Sequence, residues 1–309
     1  MLLSLRVLVA RVILLMYNRI LFKILITTLF MIKPIKKLLV DKLDMSKKEL
    51  SLLPSSYQKI GDIVIINTKK ELWKYDKQMG QVILKNIPNT RIVCRRTDFI
   101  TGQFRQPNVK IIAGEKNTET THKEHEISYK LDVAKVMFSK GNLTERKRLI
   151  DQVKKDEIIV DMFAGIGYFS IGLGKFSKAK KVYAIELNPE SYHYLWENIK
   201  LNKVENKVTP MFGDCKKECE SLDRIADRVL MGLLPSPKDY LDATMKVIKK
   251  NGIIHYHSIL SEDESHEKLL FEINDIAVKY GFQIELISWK KVKSYAPRVD
   301  HVVLDVKII

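Results

Sequence analysis

The chain has 309 residues, of which 46% are hydrophobic, so it can bury a sizeable core and form two domains. Its formal net charge of +16 favours a polyanionic partner such as RNA, although proteins of a lysine-rich proteome can have the same positive charge without binding a polyanion. The three cysteines, Cys94, Cys215 and Cys219, do not form the paired framework of a disulfide-stabilised domain, so we expect a cytoplasmic protein.

Residues 1–45 form an apolar and basic extension that we expect to lie outside the working fold. Leu, Ile and Val dominate residues 1–40, but Arg and Lys interrupt them. The longest uncharged stretch, residues 24–32, is well short of the ~20 residues that a spanning helix needs. No small-residue cleavage site follows an apolar core, as a signal peptide would require. We therefore expect no stable membrane association, and Met31 and Met45 are candidate natural starts.

Residues 46–135 are predicted to form a small α+β domain. Four basic side chains there, Arg95, Arg96, Arg105 and Lys110, could meet phosphates on one surface or could be scattered solvated charges. The apolar periodicity predicts one helix and four strands, at residues 71–86 and at residues 62–67, 91–96, 110–115 and 127–133.

Residues 136–309 are predicted to form a second domain, which opens with a linker and a helix. Asn142 is expected to cap that helix, with Glu145 completing a capping box. Ser139 and Arg146 then lie at the entrance to the domain. They could form the lip of a ligand site, where Arg146 would meet a carboxylate, or they could be a linker serine and an exposed arginine.

A glycine-containing turn follows the first predicted strand of this domain. The apolar run at residues 158–160 is typical of a buried parallel strand, and Asp161 ends it. Gly165 and Gly167 allow a tight turn in which the backbone can approach a ligand before the next helix begins. A glycine pair alone is equally typical of an ordinary tight turn, so the interpretation depends on its surroundings.

Two further acids end neighbouring strands. Glu186 ends a predicted strand at about twenty residues past the glycines, where a carboxylate can accept hydrogen bonds from both ribose hydroxyls. Asp214 follows a third predicted strand at residues 207–211. Three acids at successive strand ends resemble the S-adenosylmethionine site of class I methyltransferase folds. A nicotinamide cofactor fits less well, because Ser170 stands where the third glycine of its fingerprint would fall and nothing requires Asp214.

The rest of the domain alternates strands and helices, and it ends in an antiparallel pair of strands. Such a pair is typical of class I methyltransferase sheets and not of nicotinamide-binding sheets. We therefore predict an α/β, class I methyltransferase-like (Rossmann-like) sheet with antiparallel C-terminal strands, preceded by the smaller α+β domain. The predicted helices lie at residues 189–201 and 262–280, and a further helix after residue 236 reaches residue 250. The predicted strands lie at 226–231, 252–258, 282–292 and 299–308, with a turn at 294–297.

Histidines and cysteines offer weaker candidates. His255 and His257 lie on one face of a predicted strand, where they could be catalytic but more typically pack in a core. Cys215 and Cys219 could share a helix face, yet two thiols without nearby histidines make a poor metal site. His122 and His125, three residues apart, could also form a metal pair, but they are more typical of a surface or a loop. We therefore expect no metal.

Four motifs together are specific enough to identify a resemblance. They are Met137-Phe138-Ser139-Lys140-Gly141-Asn142, Asp161-Met162-Phe163-Ala164-Gly165-Ile166-Gly167-Tyr168-Phe169, Met231-Gly232-Leu233-Leu234-Pro235-Ser236 and Lys293-Ser294-Tyr295-Ala296-Pro297. From about residue 53 to its C-terminus, the chain resembles the archaeal enzymes of wybutosine synthesis. Within that group it is most similar to the tRNA 4-demethylwyosine aminocarboxypropyltransferases.

The resemblance implies transfer of the 3-amino-3-carboxypropyl group of S-adenosylmethionine to carbon 7 of 4-demethylwyosine, next to the anticodon of tRNA-Phe, with release of methylthioadenosine. The alternative is the sister family of tRNA guanine-N1 methyltransferases, which shares the fold and the glycine turn. That family carries an Asn-Leu-Pro or Asn-Pro-Pro turn where this chain has residues 232–235. Gly232 and Leu233 offer no polar side chain to a ring nitrogen that must lose a proton.

The resemblance also implies roles for individual residues. Ser139 and Arg146 would lie at the sulfonium and carboxylate end of the cofactor. Glu186 would accept from the ribose hydroxyls, and Asp214 from the adenine amine, with the backbone of Cys215 beside it. The family often has a polar residue in place of Cys215, so no side-chain role is implied there. The floor of the pocket would be lined by Asp161, Gly165 and Gly167.

Overall fold

The computed structural model describes residues 35–97, 107–139 and 142–309. It divides into two units. The smaller unit contains the described residues up to 97 together with Asn108–Thr118, and the larger unit contains Pro107 and Glu119–Ile309. The first 34 residues of the predicted extension, and Arg105 of the suggested phosphate-binding surface, lie outside the described residues.

The smaller unit is a four-stranded sheet with helices. Its strands follow the order β1-β2-β3-β4, in which β2 and β3 run parallel and the other pairs run antiparallel. A 3-10 turn at Lys70–Tyr75 leads directly into the third helix. The elements are α1 (Ile35–Val40), α2 (Lys47–Ser51), α3 (Asp76–Asn86), β1 (Tyr57–Ile60), β2 (Ile63–Ile66), β3 (Ile92–Arg96) and β4 (Val109–Gly114).

The core of the smaller unit begins earlier in the chain than predicted. Ile35 and Leu39 of α1 are buried in the same apolar cluster as Val64 of β2 and Met79 of α3. Burying such side chains stabilises a fold by roughly 1.5–3 kcal/mol each. The predicted end of the extension at residue 45 is therefore too late, because α1 already contributes to the core.

The larger unit contains the remaining elements. Its helices are α4 (Leu143–Gln152), α5 (Ser170–Phe176), α6 (Pro189–Leu201), α7 (Cys215–Glu218), α8 (Leu241–Val247) and α9 (Glu267–Ala277). Its strands are β5 (Glu119–Glu124), β6 (Ile127–Asp132), β7 (Ile158–Asp161), β8 (Lys181–Glu186), β9 (Val208–Phe212), β10 (Ala226–Met231), β11 (Ile248–Ser261), β12 (Ile284–Ala296) and β13 (Val299–Ile308).

Seven strands of the larger unit form one sheet in the order β12-β13-β11-β10-β7-β8-β9. The five strands from β11 to β9 run parallel, and β13 lies antiparallel between β11 and β12. This arrangement confirms the predicted class I methyltransferase-like sheet. The chain order reverses between β7 and β10, and ligands of open α/β sheets bind outside the carboxyl ends of the strands at such a point.

The β5–β6 hairpin belongs to the larger unit, although the sequence placed residues up to 135 in the smaller domain. Asn198 of α6 binds the hairpin edge-on: its Oδ1 accepts from the backbone N–H of Lys130 (2.6 Å) and its Nδ2 donates to the carbonyl of Lys130 (3.1 Å). Asn202 pairs with both backbone groups of Ser128 in the same way, at 3.0 and 2.7 Å. The division therefore falls after Thr118, because α6 supplies hydrogen-bond partners to the hairpin.

Some local expectations were wrong. Asn142 makes no capping hydrogen bond, and Glu145 instead accepts from the side chain of Arg148, so the capping box does not form. The strand β12 continues to Ala296, so the chain turns later than predicted, at Arg298 with φ of +59°. The helix expected to reach residue 250 ends at residue 247, where β11 begins.

A buried polar network joins α4 to the C-terminal strands. Asp305 of β13 accepts from Arg148 of α4 (3.0 Å) and pairs with the Nδ1 of His255 (2.7 Å). Burial alone would raise the pKa of Asp305, but the hydrogen bonds from His255 and Arg148 hold it well below its usual range. Arg228 of β10 contacts the other nitrogen of His255 (3.1 Å). His255 is therefore a core residue with both ring nitrogens occupied.

Among the residues that the structure describes, no helix combines the length and the apolar character needed to cross a membrane.

The hairpin clamp yields a prediction about stability. Replacing Asn198 with alanine leaves the backbone groups of Lys130 and the carbonyl of Ile166, which Asn198 also contacts at 3.2 Å, without partners. We expect Asn198→Ala to lower the free energy of unfolding by about 2–4 kcal/mol, measured by urea denaturation. Lys200→Ala, on the exposed side of the same helix, is the control and should change it by less than about 0.5 kcal/mol. Equal losses in both variants would contradict the clamp.

Candidate functional site

The three predicted acids lie at the carboxyl edge of the sheet. Asp161 ends β7, Glu186 ends the neighbouring β8, and Asp214 follows β9 after a single glycine. The segment after β7 continues to hydrogen-bond on both sides, because the N–H of Met162 donates to Leu230 (3.1 Å) and the N–H of Ala164 donates to Ile185 (2.9 Å). The turn that follows Asp161 is thus held between its two neighbouring strands.

The two glycines of this turn adopt backbone conformations that other residues rarely take. Gly165 has φ of +58° and Gly167 has φ of +97°. A Cβ atom on Gly167 would lie 2.5 Å from the Cδ1 of Ile171, and one on Gly165 would lie 3.1 Å from the ring of Tyr168. Both positions therefore require glycine, and the turn exposes backbone atoms to a ligand at the sheet edge.

Glu186 holds the turn directly. Its Oε2 accepts from the N–H of Gly165 (2.8 Å) and its Oε1 accepts from the N–H of Asn188 (2.7 Å). Burial raises the pKa of this carboxyl, while the backbone N–H donors oppose the shift. Asn188 in turn caps α6 through its side chain (3.0 Å to the N–H of Glu190). The acid is therefore fixed in orientation, with lone pairs left for a ligand.

Asp161 is fully buried and only half satisfied. Its Oδ2 accepts from the hydroxyl of Ser170 (2.6 Å), but none of the described residues donates a hydrogen bond of ordinary geometry to its Oδ1. Burial, with a smaller contribution from the charge of Glu186, raises the pKa of Asp161 to about 6. A buried carboxylate oxygen without a partner is unfavourable unless a ligand supplies a donor.

Asp214 caps the short helix α7, where its Oδ1 accepts from the N–H of Lys216 (2.9 Å). The preceding Gly213 donates its N–H to the carbonyl of Glu186 (3.1 Å), so the second and third acids are joined through the backbone. Cys215 is buried in the apolar core, and burial raises the pKa of its thiol. Its side chain is therefore a neutral packing group.

Arg146 is buried, which rules out its interpretation as an exposed helix residue. Its Nη1 donates to Glu124 (2.8 Å) and its Nη2 donates to the carbonyl of Ser139 (2.8 Å). Its guanidinium carbon lies 4.9 Å from the centre of the ring of Tyr168, whose hydroxyl donates to the carbonyl of Met137 (2.6 Å). Its Nε has no partner within the described ranges. The structure thus brings Ser139 and Arg146 together and links them to the glycine turn through Tyr168.

Two partners of these residues, Glu124 and Ser170, were not predicted from the sequence. Glu124 was not considered because the predicted domain boundary separated it from Arg146, and no local pattern indicates an ion pair across 22 positions. Ser170 was noted only as a missing glycine, although its position at the start of α5 places its hydroxyl against Asp161. His122, weighed as a metal ligand, lies 3.7 Å from Glu124 instead. Within residues 35–97, 107–139 and 142–309, no group of three or more metal-ligating side chains could hold a metal ion.

Comparison with known proteins identifies two matching families. The model described as the TRM5/TYW2 methyltransferase domain matches residues 120–286, and the model described as the TYW2 N-terminal domain matches residues 35–118. These ranges meet where the structure divides into its two units, at Thr118.

Several archaeal tRNA-modifying enzymes are similar to this chain over most of its length. The Methanocaldococcus jannaschii protein named tRNA(Phe) (4-demethylwyosine(37)-C(7)) aminocarboxypropyltransferase is 46% identical over 81% of this chain and 97% of its own length. A Pyrococcus abyssi tRNA (guanine(37)-N(1))-methyltransferase is 38% identical over 83% of this chain and 76% of its own length. The crystal structure of P. horikoshii TYW2 in complex with MeSAdo superposes with a TM-score of 0.76 at 34% identity, covering 89% of this chain and 98% of that one.

The buried state of Asp161 predicts an unusual dependence of stability on pH. Its folded-state pKa of about 6 exceeds the unfolded value of 3.8, so the folded protein holds that proton more tightly. Stability contributed by this group is present below about pH 4 and is lost as the pH rises towards 6. We therefore expect Asp161→Asn to be more stable than the wild type at pH 7.5, by about 2–3 kcal/mol.

Urea denaturation of both proteins between pH 4 and pH 8 measures this difference, which should shrink towards zero at the acid end. Asp151→Asn, on the surface of α4, is the control and should show no such trend. A difference between Asp161→Asn and the wild type that does not change with pH would contradict the raised pKa.

Proposed function

The chain belongs to the TRM5/TYW2 methyltransferase family, and we propose that it transfers the 3-amino-3-carboxypropyl group of S-adenosylmethionine to carbon 7 of 4-demethylwyosine at position 37 of tRNA-Phe. The observation that carries this proposal is the match to the aminocarboxypropyltransferase of M. jannaschii across nearly its whole length. The other product would be methylthioadenosine, and the complex of the P. horikoshii relative with MeSAdo supports a pocket for that molecule.

The residues at the sheet edge fit an adenosyl ligand. The carboxylate of Glu186 is oriented by two backbone N–H groups and can accept from ribose hydroxyls, as the family resemblance implies. Asp214 uses one oxygen to cap α7, which leaves the other for an adenine amine. The unpartnered Oδ1 of Asp161 is available to a donor on the ligand.

The methionine end of the ligand would meet Arg146 and Ser139. Arg146 is held by Glu124 and by the ring of Tyr168, so its guanidinium is already positioned, and its Nε remains available. When bound, the sulfonium of S-adenosylmethionine makes each attached carbon electrophilic. Which carbon reacts then depends on how this chain holds the methionine arm, because only an aligned carbon reaches the acceptor.

The turn after β10 favours a carbon acceptor over a ring nitrogen. Gly232 and Leu233 follow the last residue of β10 at the switch point and carry no polar side chain. A Cβ atom on Gly232 would lie 3.6 Å from Phe169, an ordinary contact, so packing does not require glycine here. Packing would therefore permit a side chain at position 232, and the missing polar group fits an acceptor carbon better than a ring nitrogen that must lose its proton. Guanine-N1 methylation, the activity named for the P. abyssi relative, is the second candidate.

We also propose that the smaller unit contacts the tRNA and that the protein acts in the cytoplasm. Arg95 does not serve this contact, because it is buried against Asp76 (2.8 Å) and stacked on Trp73. Lys110 remains largely exposed at 3.4 Å from Asp76 and is the better phosphate contact. All three cysteines are free and buried, as expected in a reducing compartment.

Product analysis tests the proposed function. Incubation with S-adenosylmethionine and tRNA-Phe bearing 4-demethylwyosine should release methylthioadenosine. The mass of the modified nucleoside should increase by about 101 mass units, because the aminocarboxypropyl group replaces one hydrogen. The same tRNA with unmodified guanine at position 37 is the control and should give no product. Release of S-adenosylhomocysteine with a methylated guanine would establish the second candidate instead.

Replacing Glu186 tests the ribose contact. Glu186→Gln keeps an acceptor for one backbone N–H but loses the charge, so we expect S-adenosylmethionine to bind at least about tenfold more weakly, equivalent to about 1.4 kcal/mol. Isothermal titration calorimetry measures the affinity. Glu190→Gln removes a carboxylate on α6 that pairs with Lys135 (3.1 Å), and it should bind as the wild type does. Unchanged affinity in Glu186→Gln would remove this residue from the ribose site.

A further inference from the structure

Two buried histidines lie side by side on the larger sheet, outside the polar network of Asp305. The Nδ1 of His257, on β11, is 2.9 Å from the Nε2 of His301, on β13. Both side chains are about 1% exposed. The remaining ring nitrogens, Nε2 of His257 and Nδ1 of His301, are buried and have no partner in the part of the chain that the structure describes. Such atoms in a native core call for an explanation.

The pair is uncharged at neutral pH. Burial is the main cause that lowers the pKa of both rings, and it brings the pKa of His301 to about 4. The charges that face the two rings come from several elements. Those that disfavour protonation are His255, Arg148 and Lys293, and the one that opposes them is Asp305.

Neutral imidazoles joined in this way can move a proton across the pair. Each ring carries one N–H, so when His257 donates through Nδ1, its Nε2 is a free acceptor and the Nδ1 of His301 carries a proton. Uptake of a proton at the Nε2 of His257 drives its Nδ1 proton to the Nε2 of His301. His257 then ends neutral in the opposite tautomer, and His301 holds the added proton as an imidazolium with a hydrogen on each ring nitrogen.

The pair lies next to the glycine turn and to the turn after β10, which contains Gly232 and Leu233. The ring of His257 is 5.7 Å from that of Phe169, the last residue of the glycine motif, and Phe169 faces Gly232. The next residue of β11, Ser258, donates to the carbonyl of Pro235 in the turn after β10 (3.2 Å). His257 therefore lies near the carboxyl edge of the sheet, on the strand next to β10.

We propose that His257 accepts the proton that leaves carbon 7 of the acceptor base, with His301 as its relay; this inference rests on the proposed function. Carbon 7 uses a π electron pair of its ring to bond the incoming methylene carbon, while the carbon–sulfur bond breaks and sulfur keeps its electron pair. The ring is then cationic and carbon 7 still bears its hydrogen. The carbon–hydrogen bond breaks, its electron pair returns to the ring, and the proton goes to the Nε2 of His257.

His255 cannot perform this step although it lies on the same face of the same strand. Its Nδ1 is paired with Asp305 and its Nε2 with Arg228, so neither nitrogen is free to accept. The contrast provides a matched control within the chain.

A hydrogen isotope effect tests the proposal. Single-turnover transfer is measured at saturating S-adenosylmethionine, with protium or deuterium at carbon 7 of 4-demethylwyosine in tRNA-Phe. In the wild type we expect carbon–sulfur cleavage to be the slow step, so both substrates should react at one rate. In His257→Gln, proton loss should become slow, so transfer should fall by about 100-fold or more, with a severalfold slower reaction of the deuterated substrate. His301→Gln, which interrupts the relay, should show the same isotope effect.

The control is His255→Gln, which should lower the melting temperature without introducing an isotope effect, whatever its rate. The affinity of His257→Gln for S-adenosylmethionine should stay within twofold of the wild type, which shows that the variant is folded. Slow transfer by His257→Gln with equal rates for both isotopes would overturn the proposal, as would unchanged transfer. Absence of methylthioadenosine from the wild-type reaction would instead refute the proposed function itself.

A second readout needs no substrate. Nitrogen-15 NMR of the ligand-free protein labelled in histidine should show both rings neutral at pH 7, with one proton shared between His257 and His301. A pair that is protonated at pH 7 could not accept the proton and would overturn the proposal.

Discussion

The bond between the carboxylate of Glu186 and the N–H of Gly165 is the constraint on which the site depends (2.8 Å). It connects the end of one strand to a turn whose backbone only glycine can adopt. The carbonyl of Glu186 accepts from Gly213 as well, so the approach to Asp214 is fixed by the same residue. A ligand that meets three separate strand ends thus encounters one rigid edge. Such preorganisation reduces the ordering that binding must otherwise impose.

The helix α4 carries Arg146, the residue proposed to meet the methionine end of the ligand. Arg148 and Gln152 bind Asp305, so this helix is anchored to the C-terminal strands by a buried polar network. Arg146 lies half a turn away on the same helix and is thereby held over Tyr168. Removing one member of a buried charged network leaves the others unpaired, which is why such networks hold an element in one position.

Much of the larger sheet was predictable because its signals are local. Each acid ends its own strand or lies just after it, and each local signal, such as an apolar run with its acid or the glycine turn, is contained within about ten residues. The pairing of Arg146 with Glu124 was not predictable, because it depends on which unit receives the β5–β6 hairpin. That choice is made by side chains of α6 that bind backbone groups 68 and 74 positions away. Polar contacts of this kind leave no periodic trace in a sequence.

Asn198 has a consequence beyond anchoring. The same amide that holds Lys130 in the hairpin also donates to the carbonyl of Ile166, between the two glycines. Transient opening of the hairpin and loosening of the turn therefore break a shared set of bonds, and neither motion is independent of the other. A small molecule captured at the turn would therefore slow amide hydrogen exchange along β6, through the hydrogen bonds of Asn198. Amide exchange in the hairpin would thus report whether the glycine turn holds a ligand.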